Sequence, residues 1–95
     1  EGVEHTYYVH VISERLRETE DVTLHRTVMP DIMTATKVVE VETGIGKRYS
    51  VKRVKFELVK KRWPHCVIVC TRDDVEWYKQ FGLPVYSVPD YLAMQ

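Results

Sequence analysis

The sequence predicts an α/β domain built on a mixed β-sheet flanked by helices, and three observations carry that prediction. Segments with apolar residues at helical spacing occur in both halves of the chain. Extended runs rich in Val, Ile and Thr separate them, among them the wholly apolar Cys66 to Cys70 (C-V-I-V-C), as expected of a strand covered on both faces. The two kinds of segment alternate from Val38 onward, which favours right-handed crossovers between parallel strands, from Val38 to Val69 and from Cys66 to Val88.

The elements follow in order. From His5 to about Glu18, Tyr8, Val9, Ile12 and Leu16 form a helical stripe, and the polar stretch to Asp21 ends it. Val22 to Val28 alternates as a strand, through Val22, Leu24, Arg26 and Val28, and Pro30 interrupts the ladder, as it should only at an edge or strand end. Ile32 to Thr43 is a longer extended stretch, one strand or two, expected to be most buried at Val38, Val39 and Val41. Gly44 and Gly46 close it with a turn. Tyr49 to Arg62 is a helix stopped by Pro64, and Cys66 to Cys70 a strand. Thr71 to Phe81 is the third helix, with Asp73 and Asp74 near its positive end and Gly82 just past its last turn. Val85 to Val88 is a last strand, stopped by Pro89. The order α-β-β(-β)-α-β-α-β, with no repeat or linker, predicts a single domain over residues 1–95.

Composition narrows the function classes. Of the 95 residues, 44% are hydrophobic and 29% charged, well away from the regime of disordered chains. No apolar run approaches the roughly 20 residues of a membrane span, so no membrane partner is expected. Cys66 and Cys70, four apart on a strand, stand roughly 13 Å from each other, too far to bridge. Two such cysteines point to a reducing, cytoplasmic setting. Fourteen basic residues balance fourteen acidic ones, which excludes a uniformly basic nucleic-acid coat. The charge is nevertheless segregated, because eight Lys/Arg fall between Lys47 and Arg62 against the single acid Glu57. Lys47, Arg48, Lys52 and Arg53 of this run suit phosphate contacts, which require only positive charge near a nucleic-acid backbone.

The acids carry the chemical signal. Glu40 and Glu42 are two apart on an apolar strand and therefore share one face. Like charges so placed repel and are costly to desolvate. A divalent cation offsets both costs, and carboxylate oxygens are the ligands that Mg²⁺ or Mn²⁺ prefers. Asp31, directly after Pro30, is placed to be a third carboxylate. The plainer reading puts Glu40 and Glu42 on the solvent face of an edge strand.

Pro30-Asp31, a short spacer, then Glu40-Val41-Glu42 after two valines resembles the PD-(D/E)xK nuclease superfamily, which includes many restriction enzymes and the archaeal Holliday-junction resolvases. The element order resembles the same superfamily over nearly the whole chain. The resemblance implies a restriction-endonuclease-like fold and a metal-dependent DNA endonuclease, with junction resolvases among the implied activities. It makes Asp31, Glu40 and Glu42 the metal-binding acids, with Mg²⁺ or Mn²⁺ as cofactor, DNA as partner and no organic cofactor. The carbonyl of Val41 is an implied further ligand. The last motif position, usually Lys, is Glu42 here, a departure matched by members that move the lysine to the following helix. On that helix Val51, Val54, Leu58 and Val59 define the expected inward face, which takes in Lys55 and leaves Lys52 at its margin. Lys55 is therefore the candidate catalytic lysine beside Asp31, Glu40 and Glu42, with Lys52 in reserve.

Other constellations carry less. The four histidines lack metal-ligand spacing, and His65 with Cys66 and Cys70 does not converge on a zinc ion. Trp63 and the tail around Tyr91-Leu92-Ala93-Met94 are a candidate dimer patch, since a small nuclease gains duplex-gripping surface as a symmetric homodimer. Two further readings stand beside the nuclease: a non-catalytic nucleic-acid-binding or assembly module that keeps the fold, and an unrelated α/β small-molecule binder.

Overall fold

The computed structural model describes residues 2–25, 27, 29–45 and 49–95. Eleven residues of sheet core, Val38–Val41 (β3), Val67–Cys70 (β4) and Val85–Ser87 (β5), run parallel to one another, with Val39 opposite Val67 and Ile68 opposite Val85. Two short strands, Thr23–Leu24 (β1) and Ile32–Met33 (β2), extend the sheet antiparallel beyond β3, giving the order β1-β2-β3-β4-β5. The fold is thus α/β with a mixed sheet, and the parallel crossovers expected from the alternation are present.

The period of two along β3 sorts its side chains between two apolar layers. Val39 and Val41 join Ile12 and Leu16 of helix α1 (Val3–Leu16) and Val88 and Tyr91 of helix α4 (Val88–Met94). Val38 points the other way, toward Phe56 and Val59 of helix α2 (Tyr49–Arg62) and toward Tyr78 of the short helix α3 (Val75–Tyr78). Glu40 and Glu42 share the face of Val38, so both acids lie under α2, in the interior.

The structure departs from the sequence expectations at several places, each with a physical reason. The first strand is two residues long rather than Val22 to Val28, and Arg26 and Val28 lie outside the described residues. The stretch from Ile32 divides into two strands because Thr34 to Lys37 turn back, the Thr34 amide donating to the Lys37 carbonyl at 2.9 Å and the Thr34 hydroxyl accepting from the Lys37 amide. The third helix is one α-turn between two 3₁₀ turns, Arg72–Asp74 and Lys79–Phe81, ended by Gly82 at φ 81°. Pro89 does not stop the chain but starts α4: the Ser87 hydroxyl accepts from the Asp90 amide, an N-cap with proline in the first turn. Tyr91 is consequently buried and Trp63 packs against the core, so only Ala93 and Met94 of the expected dimer patch are well exposed.

Helix α2 matches its expected span but not its expected orientation. Phe56 and Val59 are fully buried, whereas Val51, Val54 and Leu58 are 56%, 62% and 56% exposed. The helix turns Lys52, Lys55, Phe56 and Val59 inward and leaves the valine-leucine stripe in solvent. Phe56→Ala should therefore lower the unfolding free energy by about 3–5 kcal/mol, while Leu58→Ala should change it by no more than about 0.5 kcal/mol. Urea unfolding of both variants checks this, and equal losses would contradict the orientation.

Candidate functional site

The site forms where the end of β3 passes beneath α2 and beside the loop that enters β2. Glu40 and Asp31 are braced reciprocally across that corner. The Asp31 amide donates to Glu40 Oε1 at 2.9 Å, and the Val41 amide donates to Asp31 Oδ2, also at 2.9 Å. Since the N–H and C=O of one strand residue project to the same side, the Val41 carbonyl is turned toward Asp31 as well. His5, from the first turns of α1, brings Nε2 to 3.4 Å from Asp31 Oδ2.

Helix α2 supplies the positive charge. Lys55 and Lys52, three apart and so on one helical face, both reach down to β3. The Lys55 ammonium lies 2.8 Å from Glu40 Oε2 and 2.6 Å from Glu42 Oε2. Lys52 takes the other oxygen of Glu42, at 2.5 Å, and lies over the Tyr78 ring. The Tyr78 hydroxyl donates to the Gly44 carbonyl at 2.5 Å and stands 3.5 Å from Glu42 Oε1, which fixes the chain as it leaves β3. His5, Asp31, Val41, Glu42, Thr43 and Lys55 line a cleft of about 240 Å³ over this cluster. Larger hollows, such as that between α1 and α4 lined by Glu14 and Leu92, hold no comparable cluster of paired acids and lysines.

Burial and pairing set the charge states. Burial pushes the Asp31 carboxyl above its ordinary value, outweighing the Val41 amide and the His5 and Lys55 neighbours. Burial likewise raises Glu40, with the Asp31 charge adding to it and Lys55 opposing. At Glu42 the same burial is outweighed by the Lys55 charge and the hydrogen bonds from Lys52 and Lys55, so its carboxyl sits below the ordinary range. Burial alone would lower Lys55, but Glu40 and Glu42 together hold it well above its usual value. Lys55 is therefore an ammonium at any physiological pH.

Comparison of the chain with protein-family models, with curated proteins and with solved structures finds no match in any of the three. The geometry carries the functional argument.

Asp31, Glu40, Glu42 and Lys55, singled out from the sequence, are brought together. Lys52 is brought to them too, turned inward on Glu42 rather than outward like Arg53. Lys47 and Arg48 lie outside the described residues. His5 and Tyr78 were not singled out, and no spacing in the sequence connects either with residues 31 to 44; only the tertiary fold does. Among the described residues no three His, Cys, Asp or Glu side chains converge as a ready metal cage. Both Glu42 oxygens are taken by ammonium groups, and Glu40 holds the Asp31 amide on one oxygen and Lys55 on the other. Asp31 and the Val41 carbonyl, with Glu40 if it shares its oxygens with Lys55, are hard oxygens of the kind that fits Mg²⁺ or Mn²⁺.

The raised Asp31 value gives a pH signature. A carboxyl whose folded pKa exceeds its unfolded one holds its proton to higher pH in the folded state, so its contribution to stability falls as pH rises through that window. Asp31→Asn removes that loss while keeping an oxygen for the Val41 amide. Its melting temperature relative to the wild type should rise as pH increases from about 4 toward 7. A difference independent of pH would show that the charge on Asp31 carries no such cost.

Proposed function

We propose that the protein is a small metal-dependent endonuclease of restriction-endonuclease-like fold that hydrolyses phosphodiester bonds in DNA, with branched junctions among its substrates. The observation that carries this reading is the hydrogen-bonded joining of Asp31, which lines the cleft, to the buried Glu40 behind it, with the Lys55 ammonium held against Glu40. The antiparallel β1-β2-β3 leading through α2 into parallel β4, after an initial helix, is the order that the resemblance implies and supports the fold assignment.

Asp31, Glu40 and the Val41 carbonyl would hold a Mg²⁺ or Mn²⁺ ion, which when bound supplies Lewis-acid activation of water and charge neutralisation at the phosphate. The chain's own residues do the rest. Lys55, kept protonated, cannot act as a base; it stabilises negative charge developing on the phosphoryl oxygens. Arg53, exposed on the outer side of α2, meets the nucleic-acid backbone as a point of charge, together with Lys47 and Arg48 just before the helix. Two buried free thiols, Cys66 and Cys70, are pushed up to about 12 by burial and are correspondingly unreactive. Among the described residues no helix is long and apolar enough to cross a membrane.

The reading extends to a homodimer, and the face that suits it is the exposed stripe of α2 rather than the tail. Two copies of α2 packed antiparallel through this stripe would cover Val51, Val54 and Leu58, which are each more than half exposed in the single chain. Sedimentation equilibrium should show a dimer that Val54→Asp converts to monomer. A wild type that is monomeric at every concentration contradicts this.

The second reading, a binding module that keeps the fold, is favoured by one observation: Glu42 stands where a lysine is usual and absorbs the charge of Lys52 and Lys55. Cleavage assays with Mg²⁺ or Mn²⁺ on duplex, single-stranded, flapped and four-way-junction DNA separate the two. The nuclease should cut at least one of these, Asp31→Ala should reduce the rate by at least about a hundredfold, and the ion alone should raise the melting temperature of the wild type but not of Asp31→Ala. DNA binding with no cleavage and no metal-dependent stabilisation would establish the module instead.

A further inference from the structure

We propose that Glu42 is an anchor for Lys55 rather than a cation ligand, and that the site accordingly takes one divalent cation and not two. The inference rests on the metal-dependent reading above and gives it a stoichiometry and a positioning residue.

The argument begins with the six carboxylate oxygens of Asp31, Glu40 and Glu42. Five are engaged. Glu42 receives Lys52 on Oε1 and Lys55 on Oε2; Glu40 receives the Asp31 amide on Oε1 and Lys55 on Oε2; Asp31 Oδ2 receives the Val41 amide. Asp31 Oδ1 alone takes no hydrogen bond from a described residue, and Asp31 lines the cleft. Three carboxylates and two ammonium groups sum to one negative charge. One divalent cation reverses that to a single positive charge, whereas two would place three positive charges in a largely buried cluster.

A cation beside Asp31 and Glu40 must share Glu40 with Lys55, because Lys55 already lies 2.8 Å from Glu40 Oε2. The lysine is not lost when Glu40 turns to the ion, since its other contact, to Glu42 Oε2, is shorter still at 2.6 Å. Glu42 is equipped for that role and poorly placed for another. Although it borders the cleft, both of its oxygens are held by ammonium groups, Lys52 on one and Lys55 on the other, and the chain beyond it is pinned through Gly44 to Tyr78. Lys55 is thereby a competitor for Glu40 in the empty site and a retained neighbour of the ion in the filled one.

Calorimetric titration with Mn²⁺ alone tests this without reference to cleavage. The wild type should bind one ion per chain. Lys55→Met, which removes the competitor, should bind Mn²⁺ about tenfold more tightly. Glu42→Gln should bind more weakly, because Lys55 then falls wholly on Glu40. The double variant Glu42→Gln/Lys55→Met should bind about as tightly as Lys55→Met alone, because Glu42 acts through Lys55, whereas a ligand at position 42 would leave the double variant weaker than Lys55→Met. Two ions per chain, a double variant weaker than Lys55→Met by as much as Glu42→Gln is weaker than wild type, or a Lys55→Met affinity no tighter than wild type would each overturn the proposal. If Glu42→Gln does not fold, stoichiometry and Lys55→Met decide it. A wild type that binds no Mn²⁺ at all overturns the metal-dependent reading itself, a result distinct from binding with the wrong pattern.

Discussion

The rest of the structure depends on the Lys55 ammonium shared between Glu40 and Glu42. The strand period of two places both acids on the inward face of β3 once Val39 and Val41 are committed to the α1 layer. An unpaired carboxylate there costs several kcal/mol. Helix α2 could instead have buried Val51, Val54 and Leu58, but each is only about half exposed, so the apolar gain forgone is roughly 1 kcal/mol per side chain. Charge pairing wins that comparison. The helix rotates its lysines inward, and an apolar stripe is left in solvent as a consequence rather than as an accident of composition.

That competition explains which parts of the molecule are legible in the sequence. The mixed sheet, the span of α2 and the gathering of Asp31, Glu40, Glu42 and Lys55 follow from periodicity, element order and motif spacing. Lys55 is reached from the sequence by an incorrect premise, because the reading assumes that the more apolar stripe must face the core. With Lys55 lying between the two stripes, either orientation brings it near β3, but only the observed one brings Lys52 as well. Hydropathy alone cannot see this, since the deciding energy belongs to acids on a different element. The start of α4 is legible in the sequence as well, since Ser87 and Asp90 stand three apart around Pro89, a cap pattern rather than a stop. The role of His5 was not legible, because 26 positions separate it from Asp31 and only the packing of α1 joins them.

The corner at Asp31 shows how so small a sheet keeps its acids in register. Strand β2 has two residues, and its ladder with β3 ends at Ile32 opposite Val39. Beyond that point the side chains continue what the backbone leaves off, as Glu40 holds the Asp31 amide and Asp31 holds the Val41 amide. These bonds satisfy amides that burial would otherwise leave costly, and they fix Asp31 at the wall of a cleft with Glu40 buried beside it.

Such a brace creates a fold that is not at rest electrostatically. Asp31 and Glu40 are both raised by burial, so the folded protein carries a cost whenever the two are ionised together, which Lys55, in contact with Glu40 and farther from Asp31, only partly relieves. Whatever positive charge approaches Asp31 Oδ1 is favoured by that residual cost, in the same way that a protonation is. The lysines are not a substitute for it, because Glu42 has already drawn most of their charge away from Asp31. Glu42 thus ties the Lys55 ammonium on α2 to the end of β3, and the corner between β2 and β3 keeps three carboxylates against two lysines.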